Sequence, residues 1–469
     1  MSTAAQGRQE SALAASFRDP SGFVYERDGT LYRQVDRSFA EQYDLLLSSG
    51  LYDRLVAEGL LVPHEEMGLG LAAVPDRAYR VLRPERIPFV SYPYEWCPGQ
   101  LRDAAIATLR IQTLALDYGM SLRDASAYNI QFRRGHPVHI DTLSFERYRE
   151  GEPWVAYRQF CRHFLAPLAL QTRVDARLAG LLRADLDGVA LDLTSELLPL
   201  RTRLRPGLLT HLHLQARAER RYAAASADGS VRQVPRKALL GLVDSLRGTV
   251  ERLAWQGRHT AWSGYYAEAD HYSDAAMAHK QEVVAAVLDT IRPASVVDLG
   301  ANTGRFSRLA ADRGAAVVAL DADAGAVEQA WQDVRAGSDG EMLPLVVDLA
   351  NPSPALGWAH EERASLAARG PFDVALVLAL IHHLAIGSNV PLDRIAAFLA
   401  RLCRHAVVEF VPKDDPRVRQ LLASRQDVFA DYSAACFERA ADRHFTLEQR
   451  EQLRDSTRIL YVLRARRHR

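Results

Sequence analysis

Three aspartates and a pair of glycines carry the plainest chemistry in this chain. Asp298, Gly300, Asn302 and Gly304 fall within Ser295-Val-Val-Asp-Leu-Gly-Ala-Asn-Thr-Gly304. Asp321 closes the apolar run Ala315-Ala-Val-Val-Ala-Leu-Asp321, and Asp348 closes Leu345-Val-Val-Asp348. Glycines at the first turn let the backbone approach a ligand closely, and an acid after the second run can grip ribose hydroxyls. Asp298 adds a negative charge inside the turn, which repels a pyrophosphate and attracts a cation. Arg305 stands where a dinucleotide loop needs its third glycine. The pattern points to a nucleotide-like cofactor other than a dinucleotide.

Those residues need strands that deliver them to one edge. Val296 and Val297 suit a strand covered on both faces. Further apolar strands are predicted over Phe372–Leu380, over His405–Val411 and over Arg458–Arg464, with a helix over Ile395–Leu402. Alternation of strands and helices predicts a mostly parallel, doubly wound α/β sheet.

From about residue 255 to 469 the chain resembles the class I methyltransferases, whose motif I reads Asp/Glu-x-Gly-x-Gly-x-Gly; Asn302 occupies the middle glycine slot. The resemblance implies a seven-stranded Rossmann-like sheet ending in an antiparallel strand, with S-adenosylmethionine as cofactor. It implies that Asp298 and the Gly300, Asn302 and Gly304 backbone face the methionine half, that Asp321 accepts the ribose hydroxyls and that Asp348 lies beside adenine. It also makes the aromatic segment His259–Ser273 a lid, with Tyr266, Tyr272 and Lys280 as lid or carboxylate-binding residues. His382 and His383 follow the fourth strand, where a base could deprotonate an acceptor. Glu409 in the fifth strand is read as a buried carboxylate holding a substrate hydroxyl or a histidine. The amide-methylating signature Asn/Asp-Pro-Pro-Tyr/Phe is absent, which favours O- or C-methylation.

The N-terminal half poses a different problem. Phe23–Val35 reads as a hairpin around Asp28-Gly29, and Ser38-Phe-Ala-Glu41 as a capping box opening a helix. A long helix over Leu101–Tyr118 leads to Asp124, Asn129 and, after a short hairpin, Asp141. This order and spacing resemble the protein kinase and aminoglycoside phosphotransferase fold, an α+β domain binding ATP and magnesium. The resemblance makes Asp124 the residue that orients an accepting hydroxyl, with Asn129 and Asp141 as metal ligands. The glycine-rich loop, the nucleotide-pairing lysine and the metal-loop glycine are missing; Arg33, paired with Glu41, is the nearest cation. A fold kept for binding, an active phosphotransferase and coincidental spacing all remain open.

The expected division is a kinase-like, degenerate domain over 1–235, a helical linker and lid over 236–285, and a methyltransferase domain over 286–469. Lysine plus arginine equals aspartate plus glutamate at 58 each, so no global basic field calls for nucleic acid, although a local patch leaves RNA open. The four cysteines form no Cys-x-x-Cys pair, which suits a reducing compartment and no metal site. The leading Met1–Arg8 has no apolar core and no apolar run reaches membrane-spanning length, so a cytoplasmic protein is expected. His211 and His213 read as satisfied packing, and Lys413, Arg417, Arg419 and Arg425 as a solvated basic rim. The expected activity is methylation of a small-molecule or carrier-bound acceptor. The alternatives are a bifunctional phosphotransferase–methyltransferase, and an RNA or protein methyltransferase with an N-terminal recognition module.

Overall fold

A computed structural model describes residues 12–224, 233–255, 257, 273–337, 340–423 and 426–466. The N-terminal half opens with β1 (Gly22–Arg27) and β2 (Thr30–Asp36), paired antiparallel as the hairpin pattern predicts. Asp28 and Gly29 both take positive φ, 51° and 75°, the twist that closes a two-residue hairpin. Helices α1 (Ala40–Ser48) and α2 (Leu51–Ala57) follow. The expected capping box does not form: Phe39 is the N-cap of α1 without a side-chain bond, and the Ser38 hydroxyl turns to the Pro20 carbonyl. A 3-10 turn over Arg37–Phe39 precedes α1 and displaces the start of the α-helix by one residue. Strands β3 (His64–Met67) and β4 (Ala78–Pro84) complete a four-stranded antiparallel sheet in the order β1-β2-β4-β3.

The long helix α3 (Pro98–Asp117) crosses the middle of this half. It leads into β5 (Met120–Leu122), the hairpin of β6 (Ile130–Arg133) and β7 (His136–His139), and β8 (Phe145–Arg147). A run of short helices over 157–224 then packs against α3 and the helix Arg236–Glu251.

The C-terminal half is a seven-stranded sheet. Its strands are β9 (Ser295–Leu299), β10 (Ala316–Asp321), β11 (Met342–Val346), β12 (Phe372–Val377), β13 (Cys403–Phe410), β14 (Phe445–Gln452) and β15 (Ile459–Ala465). They lie in the order β11-β10-β9-β12-β13-β15-β14. β9 to β13 pair in parallel, and β15 runs antiparallel to both of its neighbours. The reversal of order beside β9 makes a topological switch point, the place where an open α/β sheet leaves a crevice at its strand ends. The sequence pattern marks no range for β14, the seventh strand, because Thr446–Gln452 is almost wholly polar and sits at the exposed sheet edge.

The two halves share one hydrophobic cluster, running from Phe89 and Trp96 through Leu168 to the sheet core. At its centre Glu95, 1% exposed, pairs with Arg369, 6% exposed. Glu95 also accepts the Ser353 hydroxyl at 2.5 Å and the Tyr92 amide at 2.9 Å. Nearby, the Gly99 amide donates to Glu328 at 2.7 Å, Gln100 donates to the Pro344 carbonyl at 2.9 Å and Trp331 donates to Asp103 at 3.0 Å. Among the described residues no helix is long and apolar enough to cross a membrane.

Removing one partner of a buried ion pair strands the other charge. Arg369→Ala is expected to lower stability by about 3–5 kcal/mol, measured as a fall in the urea midpoint. A change no larger than a surface pair gives would show that the two halves are not held here.

Candidate active site

The strands β9, β10 and β12 end on one cavity of about 1060 Å³, at the upper end of what small-molecule sites occupy. Its sheet-side wall carries Asp298, Gly300, Asn302, Asp321 and Asp348. Gly300 (φ 76°) and Gly304 (φ 85°) take left-handed backbone that a side chain disfavours, and a Cβ on Gly304 would sit 2.7 Å from the Met342 methyl. Asn302 shares that conformation at φ 51°, and asparagine is among the few other residues that tolerate it, which is why it can fill a glycine slot. Gly304 caps the helix Arg305–Ala311 without itself lining the cavity.

The carboxylates differ in environment. Asp298 is buried, accepts the Ser307 hydroxyl at 2.7 Å, and is pushed up to about 6 by burial despite Ser307 and Lys280. Asp321 accepts the amides of Asn302 and Asp323, one on each oxygen, both at 2.8 Å. Burial raises its pKa, and those amides resist the rise. Each oxygen keeps a lone pair for a ribose hydroxyl. Asp348 is exposed and bonded only to the Ala350 amide at 2.8 Å among the described residues. This donor set fits S-adenosylmethionine: an anion for its cationic centre, a braced acid for its diol and an open edge for its base. The C-terminal half thus has the strand order and the carboxylate placement that the resemblance to class I methyltransferases implies.

The two histidines separate. His383 lines the cavity, half-buried, and its pKa lies below the usual value through burial and the nearby Arg417 charge. It is therefore neutral, and able to accept a proton, at neutral pH. His382 is buried behind it, with ring centroids 4.2 Å apart and Nδ1 without a bond partner. Burial first, and His383 next, hold His382 well below its ordinary range. It does not reach the cavity, so its candidacy as the base passes to His383.

Glu409 departs from its expected role. It is fully buried, and its oxygens go to the Lys280 ammonium at 2.6 Å and the Arg458 guanidinium at 3.3 Å. Arg458 continues to Asp415 at 2.8 Å. Lys280 lines the cavity, but its ammonium is held by Glu409 and lies 4.7 Å over the Phe306 ring. Both residues brace the cavity floor through this network. Tyr266 and Tyr272 lie outside the described residues, as does Arg425. Lys413 is paired with Asp427 at 2.8 Å.

The N-terminal constellation also converges. The Arg33 guanidinium is ion-paired to Asp141 and reaches Asp19 at 3.6 Å, rather than pairing with Glu41, which contacts Arg147. Asp141 also accepts the Ser144 hydroxyl at 2.5 Å and the Leu143 amide at 3.1 Å. Burial alone would raise the Asp141 pKa, but Arg33 and Ser144 hold it below the usual carboxylate value. Asn129 donates to Ser144 at 3.3 Å, and Asp124 accepts from Gln159 at 2.7 Å and from the Ser126 amide at 2.9 Å. The residues therefore do not fit magnesium as placed: a guanidinium already neutralises Asp141. Among the described residues no group of three such ligands is disposed to hold a metal.

His211 and His213 each have both ring nitrogens bonded to hydroxyls, of Tyr157 and Ser245 and of Ser195 and Thr202, all within 2.9 Å. No motif in the sequence marks the cavity's other wall. Thr172, Arg173, Val174, Arg201 and Arg205 reach it from the N-terminal half, and Trp255 from the connecting segment. Only the tertiary contact between the halves brings them there.

Over 457 residues, 96% of this chain and 95% of the relative, the chain is 33% identical to the nodulation protein NoeA of Rhizobium meliloti (strain 1021). No family model matches it. Similar solved structures include the N-methyltransferase NodS from Bradyrhizobium japonicum WM9, at 13% identity over 41% of this chain and 98% of that one, with a TM-score of 0.32. Magnesium protoporphyrin IX methyltransferase (ChlM) from Synechocystis PCC 6803 is 18% identical over 43% and 90%, with a TM-score of 0.29. The bifunctional kinase-methyltransferase WbdD is 17% identical over 44% and 43%, with a TM-score of 0.30.

A cationic ligand binds the ionised form of Asp298, so binding must release a proton below the carboxyl pKa of about 6. By calorimetry, affinity for S-adenosylmethionine is expected to hold above that pH and to fall about tenfold per pH unit below it. Asp298→Asn should weaken binding at pH 8 by roughly tenfold to a hundredfold and flatten this limb. A variant that keeps the wild-type pH profile would remove Asp298 from the cofactor site.

Proposed function

The chain belongs to the family of the nodulation protein NoeA, and we infer that it methylates an oxygen or carbon of a small-molecule or carrier-bound acceptor held between its two halves. One observation carries this reading: a single cavity is lined by the cofactor-side aspartates, by His383 and by residues of the N-terminal half.

Bound at Asp298 and Asp321, S-adenosylmethionine supplies an electrophilic methyl group on a sulfonium. The chain's own contribution is position and a proton acceptor. Methyl transfer is an in-line displacement, so holding the acceptor atom in line supplies much of the rate. His383, neutral and facing the cavity, accepts the acceptor's proton as its oxygen or carbon attacks. The buried sequence Lys280–Glu409–Arg458–Asp415 keeps the floor rigid beneath it.

The N-terminal half is read as a kinase-like fold kept for binding, over about residues 1–235, with a helical linker and lid over 236–285 before the methyltransferase domain of 286–469. The Arg33–Asp141 pair supports that reading over phosphotransfer. Titration of the full chain with ATP and magnesium should give no saturable heat. Saturable binding abolished by Asp141→Ala would favour the bifunctional enzyme instead.

The acceptor can be found by incubating the enzyme and labelled S-adenosylmethionine with extract and following the labelled mass. His383→Gln should lower turnover about a hundredfold or more with cofactor affinity unchanged. His382→Gln should lower stability more than turnover. Equal turnover in wild type and His383→Gln would mean that no base is needed at this position.

A further inference from the structure

The wall facing the cofactor aspartates is basic. Arg173 ends the helix Ala166–Arg173, and Arg201 and Arg205 lie on and just after the 3-10 turn Leu200–Leu204; all three line the cavity. Arg201 and Arg205 are exposed to it, and among the described residues neither meets a carboxylate. Arg173 gives one nitrogen to the Arg252 carbonyl at 2.8 Å, while its Nε is buried without a partner. Burial, Arg205 and Arg201 together push the Arg173 guanidinium below its usual pKa, which places the three charges within reach of one another. Their neighbour Arg177 is neutralised in the ordinary way, by two bonds to Asp175 at 2.9 and 2.8 Å.

The turn is also fixed. Thr202, buried between Arg201 and Arg203, bonds His213 at 2.9 Å, and His213 is held from its other side by Ser195 at 2.8 Å. A buried imidazole thus anchors a turn that carries two uncompensated cations into the cavity. Like charges so gathered repel unless an anion joins them, and planar guanidinium forks match the oxygens of a tetrahedral oxyanion.

We propose that Arg173, Arg201 and Arg205 form an oxyanion subsite and that the methyl acceptor carries a phosphate or sulfate ester which docks there. The assignment of the ester to the acceptor rests on the methyltransferase reading; the subsite itself does not. The ester anchors the acceptor against the N-terminal wall and turns its nucleophilic atom toward His383 and the cofactor side. One protein half thereby selects what the other half methylates.

Titration calorimetry of the full chain at constant ionic strength tests this with methyl phosphate, methyl sulfate and acetate, on wild type and on Arg201→Gln/Arg205→Gln. The wild type should bind one of the two esters at least about tenfold more tightly than acetate, and the tighter ester names the acceptor's group. The double variant, whose changes lie at exposed positions, should lose about tenfold or more of that affinity while its affinity for S-adenosylmethionine stays put. Ester binding no tighter than acetate, or unchanged in the variant, overturns the subsite. Loss of S-adenosylmethionine affinity in the variant also overturns it, because the arginines would then hold the cofactor's carboxylate. Should the wild type bind the ester but not S-adenosylmethionine, the methyltransferase reading fails and the subsite stands.

Discussion

A carboxylate placed where water barely reaches sets the terms for the C-terminal half. Asp298 ends up buried because β9 is covered on both faces, and its charge must be met by something other than solvent. The protein meets it in part, with the Ser307 hydroxyl and the Lys280 charge, and the deficit shows as a pKa near 6. Lys280 cannot complete the compensation, because it is already bonded to Glu409. The ionised site is therefore short of positive charge, and a sulfonium-bearing ligand supplies it. The cation preference follows from a deficit, where a fully paired Asp298 would have made an indifferent floor.

The same economy of charge runs through the rest of the molecule. Glu409, Arg458, Asp415 and Lys280 form a buried series whose charges sum to zero, so they brace the floor while Lys280 still acts on Asp298. Glu95 and Arg369 do likewise at the junction of the halves. Facing one another across the cavity are the aspartates at the strand ends and the arginines of the N-terminal half. A cofactor carrying positive charge and an acceptor carrying negative charge are thereby sorted to opposite walls.

How far the sequence disclosed this depends on whether a feature is local. The glycine turn, Asp321 at the end of β10 and the order of strands follow from short patterns, and each was legible: the left-handed φ of Asn302 even accounts for its place in a glycine slot. The β1–β2 hairpin was legible for the same reason, since Asp28-Gly29 dictates its own turn. Features set by tertiary contact were not. Ser38 and Glu41 have the spacing of a capping box, yet a 3-10 turn starts the helix elsewhere. Adjacent histidines look alike in sequence, and only packing shows that His382 faces inward while His383 faces the cavity. Strand β14 lacks the apolar alternation of an inner strand because it is an edge, and edges are permitted to be polar. Arg173, Arg201 and Arg205 carry no motif at all.

The N-terminal half shows how a chain can brace its acidic loop residues with partners of its own. Asn129 and Asp141 meet at the Ser144 hydroxyl, while Asp124 is held by the Ser126 amide and by Gln159. The Arg33 guanidinium supplies, within the chain, the positive charge that a dication would otherwise bring to Asp141. Because Arg33 belongs to β2, its pair with Asp141 ties the loop after β7 to the first sheet. Order there matters at a distance: β7 reaches α3, and α3 packs both on the helix Ala166–Arg173 and on the helix Ala324–Arg335 of the C-terminal half. The Arg33–Asp141 pair is thus a strut between the first sheet and the loop after β7, at one end of the packing that leads through α3 to the basic wall of the cavity.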